Sequence, residues 1–407
     1  MYLCLFLFIV YLCGVNLLNN GLAQKPPMGW MSWGYYMCGV DCKRNPHKCL
    51  NEELILSVVD SFYDEGYQEA GYEYIIIDDC WSERIRDKNG RLVPDRTRFP
   101  RGMKFIADYI HARGLKFGLY TNVADTTCMG YPGSRDHFAI DAKQFAQWEI
   151  DYLKVDGCFV SEEYLNIGIL EKSPFVCNEM YDKIYSCSWP YYIEFIHHKT
   201  PDYKSVAEYC NMWRNYHDVA TSWEAVKAII THYQGVYNDI NGYHGPGHWN
   251  DPDMLIFGTN SLSESQSRVQ ISVYSMLAAP LLLSCDMKNI NDYEKQMLLN
   301  LDLIAIGVLL DPYYRRPYAF GSITLWVKPH LPRKGDRYHS ISFALVNLHN
   351  KEHAASFTPG HYGMNSTDVY VVMDVFSKVF LKNITVKDVI HIKVPPEDVV
   401  MYTLFPL

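Results

Sequence analysis

"IDYLKVDGC", residues 150–158, opens as a buried strand and ends as something else. Ile150, Tyr152, Leu153 and Val155 suit a sheet interior. Lys154 and Asp156 do not, because an unpaired charge is very costly in an apolar core. In a parallel barrel the C-terminal ends of the strands carry the site, so a strand that turns polar at its end is one that reaches the mouth. Seven further short apolar runs recur along the chain, at 27–33, 72–81, 115–123, 184–189, 209–215, 247–255 and 279–286.

Longer amphipathic segments separate these runs. In "NEELILSVVDSFYDEG", 51–66, Leu54, Val58 and Phe62 fall four apart on one helical face, with Asn51 as N-cap and Gly66 as stop. Residues 101–114 and 265–280 have the same character. Strands that alternate with helices pair in parallel through crossovers. Eight such units over roughly 290 residues match a (β/α)8 TIM barrel in the α/β class. An open doubly wound sheet would carry a glycine-rich phosphate loop after its first strand, and none is present. Beyond about residue 312 the pattern changes to a period of two, which predicts an antiparallel β domain, a small sandwich. The expected layout is a signal peptide over 1–16, a catalytic barrel over 17–312 and a C-terminal β-sandwich domain over 315–407.

The chain has 407 residues, is 48% hydrophobic and 20% charged, and carries a formal net charge of −9. That composition is globular, and the acidic balance speaks against a nucleic-acid partner. Residues 2–13 form an apolar run of leader length, too short to span a bilayer. A secretory destination, lysosomal or secreted, is expected, with no transmembrane anchor. Of the twelve cysteines, Cys4 and Cys13 lie in the leader, and the others suit a compartment where disulfides persist. Cys38, Cys42 and Cys49 crowd one loop, where a bridged hairpin is expected; spacing alone does not fix the connectivity. A zinc site is disfavoured, because a second close cysteine pair and a matching histidine cluster are missing. Asn365 and Asn383 head glycosylation sequons.

The ends of the expected strands gather Trp33, Asp78, Asp79, Tyr120, Lys154, Asp156, Arg214, Asp218, Asp251 and Asp253. A single aspartate at a strand end is commonly a helix cap. Carboxylates from four strands converging on one mouth are harder to assign to capping. Such a cluster suits either a divalent-metal site or glycoside hydrolysis. Lys154 and Arg214 would repel a cation, and Trp33 is suited to stacking on a sugar ring. The expectation is therefore a glycosidase that needs no metal and no cofactor.

The segments "PPMGWMSWGYYMCGVDC", "YIIIDDCW", "YLKVDGC", "YSCSWP", "WRNYHD" and "GPGHWNDPDML" resemble, in order from about residue 20 to 312, the signature segments of the melibiase-like glycosidases, glycoside hydrolase family 27. That family includes lysosomal α-galactosidase and α-N-acetylgalactosaminidase. The resemblance implies a retaining mechanism with Asp156 as nucleophile and Asp218 as acid/base. It implies that Asp78, Asp79 and Lys154 bond sugar hydroxyls, and that Trp33, Tyr120, Tyr192, Arg214, Asp253 and Met254 line the pocket. It also implies disulfides Cys38–Cys80, Cys42–Cys49, Cys128–Cys158 and Cys187–Cys210, with Cys177 and Cys285 left over, and a homodimer. Two departures stand out: "LLDP" at 309–312 replaces the family's "NQDP", and Cys285 stands where asparagine is commoner.

In the resembling family the segment after the fifth strand reads the sugar's 2-position. α-Galactosidases place Glu and Leu where Ser188 and Tyr191 stand here; α-N-acetylgalactosaminidases place Ser and Ala. Ser188 implies terminal α-linked N-acetylgalactosamine as substrate, with α-galactose the alternative, and Tyr191 fits neither pattern. Lys154, on the same strand face as Asp156, is expected to keep the nucleophile ionised, and the ionised nucleophile to push the pKa of Asp218 up. An acidic working pH follows. A catalytically inactive sugar-binding protein on the same fold is the competing class, and the presence of both Asp156 and Asp218 argues against it.

Overall fold

The computed structural model describes residues 20–161, 182–308, 315–334, 337–364 and 368–407. The expected leader over 1–16, Cys177, the "LLDP" segment and Asn365 lie outside the described residues.

Eight strands form one sheet: β1 (Met28–Met31), β2 (Tyr74–Ile77), β3 (Lys116–Asn122), β4 (Tyr152–Asp156), β5 (Ile184–Cys187), β6 (Met212–Arg214), β7 (Trp249–Asp251) and β8 (Leu281–Leu283). Their order is β7-β6-β5-β4-β3-β2-β1-β8, and all pairings are parallel. The ring closes just beyond β7. There the Leu255 N–H donates to the Leu282 carbonyl at 2.8 Å and the Ser284 N–H to the Leu255 carbonyl at 2.9 Å, a parallel bridge. The strands are shorter than the sequence runs that contain them. The run 72–81 yields only Tyr74–Ile77, because Asp78 and Asp79 leave the ladder to enter the barrel mouth.

Asn51 caps the helix Glu52–Asp64, its side chain accepting from the Leu54 N–H at 2.9 Å. The buried face is Ile55, Val58, Val59 and Phe62; Leu54 is only half-buried. A strict spacing of four drifts off the 3.6-residue turn, so Ile55 takes the place expected of Leu54. The helix Glu264–Leu277 starts from a Ser263–Gln266 capping box and is buried on nearly every side. It is enclosed because it lies between the barrel and the C-terminal sheet, where Arg268 grips Asp398 with both arms (3.0 and 2.6 Å).

The C-terminal strands are β9 (Arg315–Phe320), β10 (Ile323–Lys334), β11 (Arg337–Asn347), β12 (His353–Phe357), β13 (Val369–Asp374), β14 (Phe380–Thr385), β15 (Ile390–Val394) and β16 (Asp398–Pro406). Six of them form a sheet in the order β14-β13-β16-β11-β10-β9, and β12 pairs with β15; every pairing is antiparallel. The period of two has a direct reading on β10. Leu325 and Val327 face the second core, with Phe357 and Ile392, while Trp326 between them joins the barrel core.

Four disulfides are formed among the described residues: Cys38–Cys80, Cys42–Cys49, Cys128–Cys158 and Cys187–Cys210. Cys285 is buried and unpaired. No described helix is long and apolar enough to cross a membrane.

The loop after β2 is pinned by charge. Arg86 forms a two-armed pair with Asp141 (2.6 and 2.7 Å), and also donates to the Gly90 and Gly133 carbonyls. Asp141 is fully buried. Arg86→Ala would strand that carboxylate, and is expected to cost about 3–5 kcal/mol in urea unfolding. Replacing both partners, Arg86→Met with Asp141→Leu, should recover much of the loss. A single-variant cost below about 1 kcal/mol would mean that the pair does not pin the loop.

Candidate active site

On β4, Lys154 and Asp156 share one strand face, and Val155 points the other way. The Lys154 Nζ lies 2.7 Å from Asp78 Oδ2, and both side chains are almost wholly buried. The direct partner of Lys154 is therefore Asp78, just beyond β2, a pairing that the sequence did not single out. A lysine stem is long enough to pass its strand neighbour and reach a carboxylate across the mouth. Burial opposes the charge of Lys154, but Asp78, then Asp156 and Asp218, outweigh it and hold the ammonium above its usual range.

Three donors converge on Asp156. The Tyr120 hydroxyl donates to Oδ2 at 3.0 Å; the Tyr192 hydroxyl and the Gly157 N–H donate to Oδ1 at 2.8 and 3.0 Å. Gly157 is required for this closure, since a Cβ there would stand 2.7 Å from the Tyr192 ring. The Cys128–Cys158 bridge presses from the side, with Cys128 Sγ 3.3 Å from Asp156 Oδ2 and Cys158 Sγ 3.0 Å from the Tyr192 hydroxyl.

Asp218 is held differently. Trp33 Nε1–H donates to Oδ2 at 3.1 Å and Arg214 to Oδ1 at 3.0 Å. The Asp218 side chain is still 61% exposed, whereas Arg214 is buried. The other arm of Arg214 lies 2.8 Å from Asp253 Oδ1, and Asp253 Oδ2 accepts from the Val219 N–H at 2.7 Å. The walls of the cleft displace part of the water around Asp218, which opposes its ionisation. The charges of Arg214 and Lys154, with the hydrogen bonds from Trp33 and Arg214, overcome that and hold its carboxyl below the usual range. The upward push expected from Asp156 is thus outweighed, because two cations and an indole N–H act together on Asp218. Farther back, burial drives the pKa of Asp79 up to about 6 and that of Asp253 up to about 7. Among the described residues the mouth sets Asp78, Asp79, Asp156, Asp218, Asp251 and Asp253 against Lys154 and Arg214.

Of the expected site residues, Trp33, Asp78, Tyr120, Lys154, Asp156, Ser188, Tyr191, Tyr192, Arg214 and Asp218 line one cleft of about 510 Å³. Asp79, Asp253 and Met254 are not among its lining residues. Asp79 accepts from the Cys80 and Met129 N–H groups at 2.6 and 3.1 Å, Asp253 serves Arg214, and Met254 is fully buried. Ile196, Tyr216 and His217 also line the cleft and were not singled out from the sequence. Tyr216 and His217 sit within "WRNYHD", directly before Asp218, and that adjacency was the available signal. Ile196 belongs to no motif. Among the described residues one group, Cys128, Asp156 and Cys158, comes within metal-ligand reach. Its two sulfurs are joined in a disulfide, so a single carboxylate remains as donor.

The family model described as Alpha galactosidase A matches residues 25–308. Alpha-N-acetylgalactosaminidase of Gallus gallus is 38% identical over 96% of this chain and 95% of its own length. Alpha-galactosidase A of Homo sapiens is 39% identical over 78% of this chain and 74% of its own. Among solved structures, alpha-galactosidase I from Mortierella vinacea is similar with a TM-score of 0.77 and 25% identity, over 95% of this chain and 98% of that one. With the family match spanning all eight barrel strands, and a relative aligned along nearly the whole length, this chain belongs to glycoside hydrolase family 27, the α-galactosidase and α-N-acetylgalactosaminidase family.

Proposed function

We propose that the chain is a retaining exo-glycosidase that removes terminal α-linked N-acetylgalactosamine from glycoconjugates. The observation that carries this reading is a pair of carboxylates held in contrasting ways in one cleft. Asp156 is gripped on both oxygens by Tyr120, Tyr192 and Gly157, which suits a nucleophile that must not rotate. Asp218 is open to the cleft, which suits a group that exchanges protons with a leaving oxygen and then with water. Asp156 attacks the anomeric carbon and forms a glycosyl ester while Asp218 protonates the departing oxygen. Asp218 then takes a proton from water as the water oxygen bonds to the anomeric carbon, and the bond from that carbon to Asp156 breaks, freeing the carboxylate and the sugar. The Lys154–Asp78 pair is placed to bond sugar hydroxyls.

Ser188 supports the choice of sugar, since it puts a small side chain on the cleft wall where a glutamate would bond a 2-hydroxyl. Tyr191 is tethered: its hydroxyl lies 3.2 Å from His217 Nδ1 and its ring stacks on Phe195 at 5.6 Å. That anchorage favours a ring standing beside an acetamide rather than in its place. A lysosomal or secreted location, a homodimer and a glycan on Asn383, which is exposed on β14, belong to the same proposal.

Asp218→Asn is expected to lower kcat by about 10²–10⁴-fold, and Asp156→Asn by at least as much. Azide should restore turnover to Asp156→Gly and yield a glycosyl azide; near-normal activity in Asp156→Asn would contradict the assignment. On p-nitrophenyl glycosides, kcat/KM should be higher for α-N-acetylgalactosamine than for α-galactose, and Ser188→Glu should move the ratio toward galactose by about tenfold or more. A wild type faster on α-galactose would overturn the sugar choice. The pH dependence has a defined sign. Asp218 must be protonated to act as acid, and its pKa is held down, so kcat/KM should fall as pH rises through the acidic range. Trp33→Phe removes a hydrogen bond to the ionised carboxylate, which raises the pKa. The alkaline limb should then move to higher pH, and a limb that stays or moves lower would show that Asp218 is not the titrating acid.

A further inference from the structure

We propose that reduction of the Cys128–Cys158 disulfide turns the cleft into a zinc site, in which the two thiolates and the Asp156 carboxylate hold the ion and turnover stops. The loss of turnover rests on the reading of Asp156 as nucleophile; the metal site itself does not.

The three groups already stand together. The sulfurs of Cys128 and Cys158 and a carboxylate oxygen of Asp156 lie within 4.8 Å of one another, and Cys128 Sγ is 3.3 Å from Asp156 Oδ2. All three residues are half-buried and line the cleft, so a small thiol and a hydrated ion both reach them. The frame around them does not depend on the sulfur–sulfur bond. Asn122, fully buried at the end of β3, donates from Nδ2 to the Thr126 carbonyl at 2.6 Å and to the Cys158 carbonyl at 2.9 Å. One side chain thus ties the loops after β3 and β4. The Val123 N–H donates to the Asp156 carbonyl at 3.2 Å, and the Met129 N–H, next to Cys128, to Asp79 at 3.1 Å. Freed sulfurs therefore remain side by side. They need only stand apart to about 3.8 Å, the separation that two zinc–sulfur bonds of about 2.3 Å make on a tetrahedron.

The chemistry selects the ion. A small dithiol opens the bridge by exchange: its own sulfurs pair, and two electrons and two protons pass to Cys128 and Cys158. Binding of Zn²⁺ sends both protons to solvent, and two thiolates, one carboxylate oxygen and a water complete a tetrahedron. The Tyr120 hydroxyl lies 3.2 Å from Cys128 Sγ and the Tyr192 hydroxyl 3.0 Å from Cys158 Sγ. Once Asp156 turns to the metal, both hydroxyls are placed to donate to thiolates and favour them over thiols. Lys154 and Arg214 oppose a cation, but each is already engaged with carboxylates, and three anionic ligands more than balance one dication. Mg²⁺ prefers an octahedron of oxygens and does not suit two sulfurs. With its carboxylate on the ion, Asp156 no longer attacks carbon.

The test reduces the full chain with dithiothreitol under inert gas, removes the reagent, and maps the open bridge by alkylation and peptide mass spectrometry. Zn²⁺ should lower turnover of the reduced chain on the p-nitrophenyl glycoside by about tenfold or more, and a chelator should restore it. Mg²⁺ should have no effect, and the oxidised chain should ignore the same Zn²⁺. Inhibition should tighten as pH rises, because protons leave as the ion binds. Co²⁺ gives a second readout that needs no turnover. Reduced wild type should show a thiolate-to-cobalt charge-transfer band that is lost in the Cys128→Ser, Cys158→Ser double variant, and Asp156→Asn should weaken Co²⁺ binding by about tenfold. A bridge that the thiol leaves closed, Zn²⁺ inhibition equal in oxidised and reduced chains, or a band unchanged in the double variant would each overturn the site. A band lost in the double variant, with wild-type turnover undiminished by Zn²⁺, would leave the metal site standing and contradict Asp156 as nucleophile.

Discussion

Arg214 is buried at the end of β6 with one arm on Asp218 and the other on Asp253, and the mouth of the barrel is arranged around that fork. Among the described residues six carboxyl groups meet two cations there, and burial competes with the cations for each carboxyl group: it prevails at Asp253, while the cations prevail at Asp218. Asp253 accepts a left-handed backbone, φ 77°, to meet the guanidinium and the Val219 N–H together. Such a conformation costs on the order of 1–3 kcal/mol in a residue other than glycine, and it persists where its surroundings fix it. Arg214 in turn favours the anionic form of Asp218. On the proposed mechanism, Asp218 acts as acid only when the medium supplies its proton, which ties turnover to acidic conditions.

Lys154 divides the work with Arg214. It neutralises Asp78 on the opposite side of the mouth, and Asp156 is left to the phenols of Tyr120 and Tyr192 and one backbone N–H. The constraint that permits this is Gly157, whose missing Cβ lets the Tyr192 ring approach. The Cys128–Cys158 bridge ties the loops after β3 and β4 beside the same carboxylate. Rigid support of this kind suits a nucleophile, since attack on carbon requires one orientation of one oxygen.

The barrel was legible in "IDYLKVDGC" because a strand buried on both faces and polar only at its C-terminal end is what a parallel barrel produces where a strand meets the site. Asn51 and Gly66 likewise marked a helix in advance, since capping is a local matter. Strand lengths were overestimated where charged residues followed the apolar run, because Asp78 and Asp79 peel from the ladder. The Lys154–Asp78 contact was not legible for a different reason: sequence distance along one strand says nothing about reach across a barrel mouth. The direction in which Asp218 is shifted depends on Arg214 from β6, Lys154 from β4 and Trp33 just after β1 acting together, a three-dimensional fact.

The central claim is that Asp156 forms a covalent bond to the sugar. A 2-deoxy-2-fluoro galactoside slows both chemical steps. A good leaving group restores the first step, so the glycosyl ester accumulates. Peptide mass spectrometry after incubation at acidic pH then locates the adduct. The account predicts one fluoroglycosyl group per chain, on the peptide that contains Asp156, lost when Asp156 is replaced by Asn. An adduct on any other residue, or none while a β-configured sugar is the first product released from the ordinary α-glycoside, would contradict it.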